Sequence, residues 1–424
     1  MGIQNRHLSA KHRFVIRGAR YTMGPEATSH ASIQITGDRI TRILNLSSAL
    51  PDAAPEPSDI NLNGFLILPG FVNAHDHLQF ALFPRMGNPP YRNYIDWGED
   101  IHRSFPEVIA KHHAVPKAVR LWWGGIRNLL CGVTTVGHHN PLWPELRRAD
   151  FPVRVVQDYG WCHSLALGGD IRQARAATPP GRPFIVHACE GVDEHSREEL
   201  WGLEQLGVLD SSTVLVHGLN IDRDGVALMR DRQASLIVCP SSNEFLFGKI
   251  PDLSLLNKIE KIALGSDSPL TAEGDLLDDI RFAIRSCGIS ASAAFHMVTT
   301  APAAILRLEN AEGSIEESGF ADLVAVRDTG QFPAERLETL SLNDVELVMT
   351  GGRVQLASES MLERLPFAAK HGLEPLSIDG SIRWLRAPIK ALMHKAEEVL
   401  GRGEVRLGCK MLLIPAEVAA QHVN

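Results

Sequence analysis

Leu68-Pro69-Gly70-Phe71-Val72-Asn73-Ala74-His75-Asp76-His77-Leu78 is the stretch that decides how this chain is interpreted. Residues 65–72 are almost all apolar, as expected of a strand that is covered on both faces. Because side chains alternate along a strand, His75 and His77 should point to one side and Asp76 to the other. Two imidazoles on one side of a strand end could bind a divalent metal ion, although two unrelated polar residues in a loop would give the same pattern.

Composition and charge limit the classes of protein to which the chain can belong. Its 424 residues are enough for one large α/β domain and a smaller one. A hydrophobic content of 44% and a charged content of 22% are typical of a globular protein. The net charge is -8, and no basic cluster is present, which argues against nucleic acid or an anionic membrane as a partner. No stretch reaches the roughly 18 apolar residues of a membrane span.

The cysteines and the amino terminus indicate a cellular compartment. The six cysteines are far apart and form no CxxC pair, which favours a reducing environment over a disulfide framework. The first residues are polar and lack the apolar segment of a secretory signal. We therefore expect a cytoplasmic protein.

Strands and helices alternate through the middle of the chain. Apolar, β-branched segments at 133–136, 153–156, 183–187, 213–217, 235–239 and 262–265 are predicted strands, and 115–130, 197–206 and 222–230 are predicted helices. This alternation indicates a parallel sheet, and polar residues at successive strand ends favour a (β/α)8-type TIM barrel. A doubly wound open sheet is the competing arrangement, but no Gly-rich nucleotide loop supports it.

Short strands predicted at both chain ends indicate a second domain. We expect one small composite β-domain from residues 1–62 plus 310–360, with an exposed connector at 49–57, and a barrel over 63–309. Residues 361–424 are predicted to be a C-terminal helical extension, because apolar residues recur at helical spacing over 381–400. That helix would cover the barrel or contact a second copy of the chain, so a homo-oligomer stays open.

Histidines recur where the predicted strands end. His75 and His77 end the first strand, His187 and His217 end two later ones, and Asp267 follows the last at the same rim. Each has an ordinary explanation, such as a hydrogen-bonded core histidine for His217 or a helix cap for Asp267. Their common placement instead predicts a metal site of three imidazoles and a carboxylate, which suits Zn²⁺ or Fe²⁺.

Glu190 lies three residues beyond His187, just past the end of a strand. A carboxylate there could take a proton from water and deliver it to a leaving nitrogen. The alternative is an exposed loop acid, since several other acidic residues follow closely.

A family resemblance rests on seven stretches spread over about residues 14–355. They are Pro69-Gly70-Phe71-Val72-Asn73-Ala74-His75-Asp76-His77, Gly132-Val133-Thr134-Thr135-Val136, His187-Ala188-Cys189-Glu190, Val216-His217-Gly218, Cys239-Pro240-Ser241-Ser242-Asn243, Gly265-Ser266-Asp267 and Gly319-Phe320-Ala321-Asp322-Leu323-Val324. With this set the chain resembles the amidohydrolase superfamily, in the branch of cytosine, guanine and adenosine-type deaminases and triazine hydrolases. The resemblance implies a (β/α)8-type barrel with a small composite β-sandwich. It also implies four metal ligands: His75, His77, His187 and Asp267. By the same resemblance, His217 orients the water or the substrate and Glu190 moves protons.

The distribution of lysines bears on the number of metal ions. No lysine occurs between Lys117 and Lys249. Binuclear members of the superfamily use a carboxylated lysine on a middle strand as a bridge, and this chain has none to offer there. We therefore expect one divalent ion, with Zn²⁺ first and Fe²⁺ or Mn²⁺ as alternatives.

The fourth strand–helix unit departs from a regular barrel. The segment between the strands at 153–156 and 183–187 is too short for a complete unit and a further strand, so we expect an irregular barrel there. Polar and aromatic residues near strand ends are candidates for substrate contact, although ordinary packing would explain each of them. They are Gln79, Trp161, His163 and His138, with His139 beside the last.

The predicted reaction is hydrolytic deamination of an aminated heterocycle, such as a purine, pyrimidine, pterin or triazine, by a metal-activated water. The small-molecule substrate would lie at the rim with Glu190, His217 and Asp267 as catalytic groups. Hydrolysis of a cyclic amide, or displacement of another ring substituent, is the alternative within enzymes. A non-catalytic metal-binding or scaffold relative is the alternative outside them, and a purified protein without metal would favour it.

Overall fold

The structure is a computed structural model that describes residues 13–45, 59–272 and 274–415. The connector predicted at 49–57 lies outside the described residues. None of the helices in these ranges is long and apolar enough to cross a membrane. The fold is mixed α/β, with one large sheet and two smaller ones.

The large sheet joins the two ends of the chain. Its first strands are β1 (Arg13–Gly24), β2 (Ala27–Thr36), β3 (Arg39–Asn45), β4 (Asp59–Asn61) and β5 (Phe65–Pro69). The parallel strands are β6 (Phe71–Asp76), β7 (Val133–His138), β8 (Arg154–Val155), β9 (Gly160–Cys162), β10 (Phe184–Ala188), β11 (Thr213–His217), β12 (Ser235–Val238) and β13 (Ile262–Leu264). The large sheet continues with β14 (Leu323–Arg327), β15 (Val345–Thr350), β16 (Arg353–Ser358), β17 (Glu374–Ile378), β18 (Ser381–Leu385), β19 (Arg406–Leu407) and β20 (Lys410–Leu413). Antiparallel pairing of β14 with β5 connects the two groups. β5 lies inside the range 63–309 that the sequence assigned to the barrel.

Gly70 divides the predicted opening strand into two. β5 belongs to the large sheet and β6 to a parallel sheet, and the backbone N–H of Gly70 donates to the carbonyl oxygen of Asp322. A Cβ at Gly70 would lie 2.2 Å from Oγ1 of Thr134, so only glycine allows this close approach. The stretch that ends in the histidines therefore connects the two parts of the molecule.

The description of residues 361–424 as a helical extension is wrong for the segment 374–385. β17 and β18 form a hairpin there and continue the large sheet, with Ile378 opposite Ser381. The two residues between them, Asp379 and Gly380, have positive φ, which suits a two-residue hairpin. The helix begins only at Ile389, after Pro388. Helical spacing of the apolar residues is misleading here, because the Asp-Gly pair before them favours a turn between two strands.

Two parallel sheets hold the middle of the chain. One has the order β6-β7-β8 and the other the order β13-β12-β11-β10-β9, so neighbouring strands follow chain order in both. A doubly wound sheet would show a reversal of strand order, and none occurs here among the described strands. The predicted strand and helix alternation is confirmed.

The helices flank these sheets and the cavity at their ends. In chain order they are α1 (Tyr94–Ser104), α2 (Pro106–Ala114), α3 (Lys117–Leu130), α4 (Ile171–Ala176), α5 (Glu194–Gln205), α6 (Arg223–Asp231), α7 (Pro240–Phe247), α8 (Leu253–Leu256), α9 (Leu276–Cys287), α10 (Ala291–Met297), α11 (Thr300–Ile305), α12 (Pro333–Thr339), α13 (Glu359–Leu362), α14 (Phe367–Lys370) and α15 (Ile389–Leu400). The fourth unit is shortened, as predicted, to the three residues of β9 and the six of α4.

Candidate active site

The end of β6 places two histidines on one side. Val72 and Ala74 pack in the apolar cluster between the parallel strands, so strict alternation would send Asp76 to that side. A register irregularity between Asn73 and Asp76 reverses the order. Asp76 instead accepts hydrogen bonds from Arg127 (2.9 Å) and Asn128 (2.7 Å) of α3. The predicted separation of Asp76 from the histidines is therefore found, but a local irregularity produces it.

His187 completes a group of three imidazoles. Each of His75, His77 and His187 offers one ring nitrogen, and these atoms all lie within 4.8 Å of one another. The Nε2 atoms of His75 and His187 are 3.3 Å apart. Two ligand nitrogens on a tetrahedral zinc ion are separated by about 3.3 Å when each Zn–N bond is about 2.0–2.1 Å. The spacing and the donor type both fit a metal ion.

The outer ring nitrogens are held by acceptors. Nδ1 of His187 donates to the carbonyl oxygen of His163 at 2.9 Å, which leaves a lone pair on Nε2. Nδ1 of His77 lies 2.7 Å from Oδ1 of Asn140, which orients that ring in the same way. His139 stacks on His187 with ring centroids 4.2 Å apart. Burial lowers the pKa of His187 well below its ordinary value, and the nearby histidines add to this effect. These contacts favour neutral imidazoles that can bind a metal.

Asp267 faces the histidines from the loop after β13. Its Oδ1 lies 3.8 Å from Nε2 of His77 and 3.9 Å from that of His75. Oδ2 accepts from the hydroxyls of Ser242 (2.8 Å) and Thr271 (3.0 Å). Burial would raise the pKa of Asp267, but the charges of nearby histidines and these hydrogen bonds outweigh it and keep the pKa below the usual value. A carboxylate held in this way could be a fourth ligand or could accept a proton.

Glu190 and His217 lie beside this group. Nε2 of His217 is 3.5 Å from Oε1 of Glu190. Val214 and Val216 point into the interior cluster, so alternation would turn His217 away, but its φ of 76° redirects the side chain. Burial lowers the pKa of His217 to about 4. Burial also raises the pKa of Glu190 well above its usual value, and the nearby Asp267 and Glu199 add to the rise. The site thus pairs an imidazole that burial keeps neutral with a carboxyl group whose protonated form burial favours.

A cavity of about 260 Å³ opens above these residues. His77, His187, Glu190, His217 and Asp267 line its polar end. The residues predicted from the sequence to be catalytic therefore lie together, and the cavity beside them is open to a small molecule.

Of the four predicted substrate contacts, only His163 lines the cavity. Gln79 instead turns to Asn140, with its Nε2 2.5 Å from Oδ1, because the chain makes a 3-10 turn at Leu78–Phe80. His138 is buried, with Nδ1 3.4 Å from the backbone nitrogen of Leu78. Trp161 packs edge-on against His139, with ring centroids 5.6 Å apart. Position near a strand end therefore does not distinguish residues that line the cavity from residues that pack behind its lining.

Three groups of functional side chains were missed. Asn140 follows His138 and His139 directly, and its proximity to those histidines was the available signal. Ser242 and Asn243 belong to one of the seven stretches that carry the family resemblance, which implied no role for them. The amide nitrogen of Asn243 is 3.3 Å from Nδ1 of His217. The helices α1 and α2 over the cavity are absent from the sequence-based prediction, although Tyr94, Trp97 and Ile101 recur at helical spacing.

Residues 163–355 match the family model described as the amidohydrolase family. The chain contains an amidohydrolase family domain. His187, Glu190, His217 and Asp267 fall within the matched segment, whereas the two histidines of β6 precede it and lie beside His187 in three dimensions. The resemblance inferred from the sequence is confirmed, and so is the enzyme class, a hydrolase acting on carbon–nitrogen bonds.

Two curated relatives of this amidohydrolase are 5-methylthioadenosine/S-adenosylhomocysteine deaminases. The one from Haloquadratum walsbyi is 32% identical over 184 residues, which cover 39% of this chain and 41% of that protein. The one from Natronomonas pharaonis is 24% identical over 368 residues, which cover 71% of this chain and 81% of that protein. Among solved structures, a zinc complex of atrazine chlorohydrolase from Arthrobacter aurescens is 17% identical with a TM-score of 0.68, covering 91% of this chain and 99% of that one. This likeness shows that the amidohydrolase shares the fold of that enzyme.

Proposed function

We propose that this amidohydrolase removes an amino group from a heterocyclic ring by hydrolysis. Water and the aminated ring carbon are converted to a ring keto group and ammonia. The observation that carries the proposal is that Glu190 and His217 line the same cavity as His77 and His187 of the three-histidine group. Relatives named as deaminases agree with this reaction type.

We further propose that His75, His77, His187 and Asp267 hold one divalent ion, with zinc first and iron or manganese as alternatives. The three nitrogen donors and one carboxylate oxygen suit these ions. A bound ion would supply the Lewis acidity that makes water a nucleophile at neutral pH. Its single-ion character follows from the absence of lysine between Lys117 and Lys249.

Side chains of the protein would carry out the proton transfers and stabilise the attacking oxygen. Burial raises the pKa of Glu190 and so favours its protonated form, which donates its proton to a ring nitrogen. The proton that leaves the attacking water passes through Asp267 to the departing amino group, which leaves as ammonia. Glu190 regains a proton from the hydroxyl on the ring carbon as the keto group forms. When the amide nitrogen of Asn243 donates to Nδ1 of His217, the proton of the neutral ring lies on Nε2. That N–H donates to the oxygen that adds to the ring carbon. Asp267, held by Ser242 and Thr271, accepts the proton of the attacking water.

We also propose that the two parallel sheets are parts of one (β/α)8-type barrel. The backbone N–H of Asp267, after β13, donates to the carbonyl oxygen of His75 on β6 at 3.1 Å. On the other side, Nε2 of His139 lies 3.0 Å from the carbonyl oxygen of Cys162 on β9. The first contact joins the edge strand β6 to the loop after the edge strand β13, and the second joins the residue after the middle strand β7 to the edge strand β9. Both contacts support one closed barrel with the site at the carboxyl ends of its strands.

Ammonia release tests the proposed function. The zinc-loaded protein would be incubated with aminated purines, pyrimidines, pterins and triazines, and both ammonia and the keto product would be measured. We expect equal amounts of the two from at least one ring class. A hydrolysed product without ammonia would instead support cyclic amide opening or displacement of another substituent. Protein that binds no metal and converts no compound would support a non-catalytic relative.

A further inference from the structure

One wall of the cavity is apolar. Phe83, Met86, Ile101 and Leu270 form a small hydrophobic cluster that is separate from the main cores, and all four line the cavity. Trp97 of α1 extends the same surface and is partly exposed. A ligand that reaches from the polar end to this wall would exchange water for aromatic and aliphatic contacts, which favours binding of apolar groups.

No lysine or arginine lines this cavity in the described part of the chain, and its only carboxylates are Glu190 and Asp267 at the polar end. Two histidines of α1 and α2 also line it: Nδ1 of His102 lies 2.8 Å from the carbonyl oxygen of Gly98, and burial lowers the pKa of His113, which favours a neutral ring. The nearby cations are engaged elsewhere. Arg103 pairs with Asp100 at 2.8 Å. Arg120 donates to the carbonyl oxygen of Gln79 at 2.9 Å. An anionic group on the substrate would therefore lose its hydration at the apolar wall without gaining a lysine or arginine as an ion-pair partner.

The apolar wall is attached directly to the catalytic side. The backbone N–H of Tyr94, the first residue of α1, donates to the carbonyl oxygen of Glu190 at 3.2 Å. The side-chain amide of Asn93 donates to Asp193 at 2.7 Å and caps α1 with its oxygen. The distance between the wall and the reacting end of the cavity is thus set by the same loop that carries Glu190.

We propose that the ring substrate carries an apolar substituent, such as an alkyl, alkylthio or aryl group, and no anionic group. This inference rests on the proposed function and adds to it the class of the substituent. The surface formed by α1, α2 and residues 80–86 selects that substituent, and the polar end performs the chemistry. Selection by the wall and chemistry at the polar end can be separated by experiment because they use different residues.

Matched pairs of compounds test the inference. Propyl-adenine and carboxyethyl-adenine, alkylated on the same ring nitrogen, differ in one terminal group, and an equivalent pair can be built on an aminotriazine. For the ring class that is deaminated, we expect kcat/KM of the propyl compound to exceed that of the carboxyethyl compound by about 100-fold. Equal values for the two compounds would overturn the inference while leaving the deaminase proposal intact.

A charge placed in the wall should change this preference. Ile109 of α2 is partly buried and lines the cavity. Ile109→Arg should raise kcat/KM for the carboxyethyl compound, so that the ratio of kcat/KM between the propyl and carboxyethyl compounds falls by about tenfold or more. The uncharged control Ile109→Gln should leave this ratio unchanged. An unchanged preference in Ile109→Arg, with normal folding by circular dichroism, would contradict the assigned wall.

Binding measurements keep the inference testable if no compound releases ammonia. Calorimetry on the zinc-loaded Glu190→Gln protein should show tighter binding of each propyl compound than of its carboxyethyl partner. Failure of deamination with this binding preference retained would refute only the proposed reaction. Equal binding of both partners would refute the inference itself.

Discussion

Nε2 of His217 lies 3.5 Å from Oε1 of Glu190. The two residues come from neighbouring strands, because Ala188 at the end of β10 pairs with His217 at the end of β11. Glu190 follows two residues later, after Cys189, whose φ is 56°. An imidazole and a carboxyl group thus reach the same side of the cavity from adjacent strands. This arrangement makes Glu190 the residue whose removal should affect chemistry most directly.

Glu190→Gln should abolish most of the activity without loss of metal. Glutamine keeps the size of the side chain but cannot transfer a proton, so kcat should fall by about 10²–10⁴-fold. Ammonia release and elemental analysis for zinc on the same sample measure the two properties. Glu194→Gln, in the exposed first turn of α5, is the matched control and should behave like the wild type. Substantial turnover by metal-loaded Glu190→Gln would rule out the proton-transfer role.

Asp76→Asn should lower stability and leave the metal site intact. Asp76 forms a buried ion pair with Arg127 at 2.9 Å and does not face the three histidines. Loss of its charge leaves the guanidinium buried without a counter-ion, which costs about 3–5 kcal/mol. Urea denaturation gives the stability, and elemental analysis of the folded variant gives the zinc content.

A matched double variant isolates the ion pair. Asp76→Asn combined with Arg127→Met removes both charges and should recover part of the lost stability. Loss of zinc from folded Asp76→Asn protein would mean that Asp76 contributes to the metal site, against its observed orientation.

The metal-site candidates could be predicted from sequence because they follow long apolar strands. Each strand is identifiable by its run of apolar residues, and parallel strands bring their carboxyl ends to one edge. His187 follows this rule without exception. His217 and Asp267 also needed positive φ values of 76° and 49° to turn into the site, which no periodicity shows. Their prediction rests on position at a strand end and on family resemblance, not on side-chain alternation.

The features that sequence reasoning missed depend on contacts between distant segments. The cavity wall combines residues 80–86 with α1, α2 and Leu270, and no local pattern indicates that these segments meet. Trp161 and Gln79 are near strand ends but lie behind the cavity, because a three-residue strand and a 3-10 turn rotate them away. Asp379-Gly380 is a local hairpin signal, and in the structure it outweighs the helical spacing of the residues that follow it.

Asn140→Ala should weaken metal binding. Its Oδ1 lies 2.7 Å from Nδ1 of His77 and holds the ring in the orientation that leaves Nε2 free. Loss of such a contact typically lowers metal affinity by about 10–100-fold. Zinc affinity would be measured by competition with a chromogenic chelator.

Asn140→Asp is the matched control, since it keeps an oxygen acceptor and should retain affinity closer to the wild type. Equal zinc affinity of the alanine variant and the wild type would show that Asn140 does not position His77. A thermal melt of each apo protein separates a metal effect from a folding defect.

Asp279→Asn should stabilise the protein at alkaline pH. Asp279 of α9 is buried, its Oδ1 accepts from the Ser241 hydroxyl at 2.5 Å, and its Oδ2 has no hydrogen-bond partner among the described residues. Burial raises the pKa of Asp279 to about 7. The folded protein therefore binds more protons than the unfolded chain between about pH 4 and pH 7, and stability falls as pH rises through this range. The cost above pH 7 is on the order of a few kcal/mol.

The variant tests this sign through the difference between two melting curves. Asparagine cannot ionise, so the Tm of Asp279→Asn relative to the wild type should be several degrees higher at pH 8 than at pH 5. Asp224→Asn changes an exposed aspartate of α6, and its Tm difference should be the same at both pH values. Both comparisons use metal-free protein, so that titration of the histidines is common to variant and wild type. A pH-independent difference for Asp279→Asn would show that Asp279 is already ionised in the folded protein at pH 5, because only a proton held by the folded state can produce the predicted dependence.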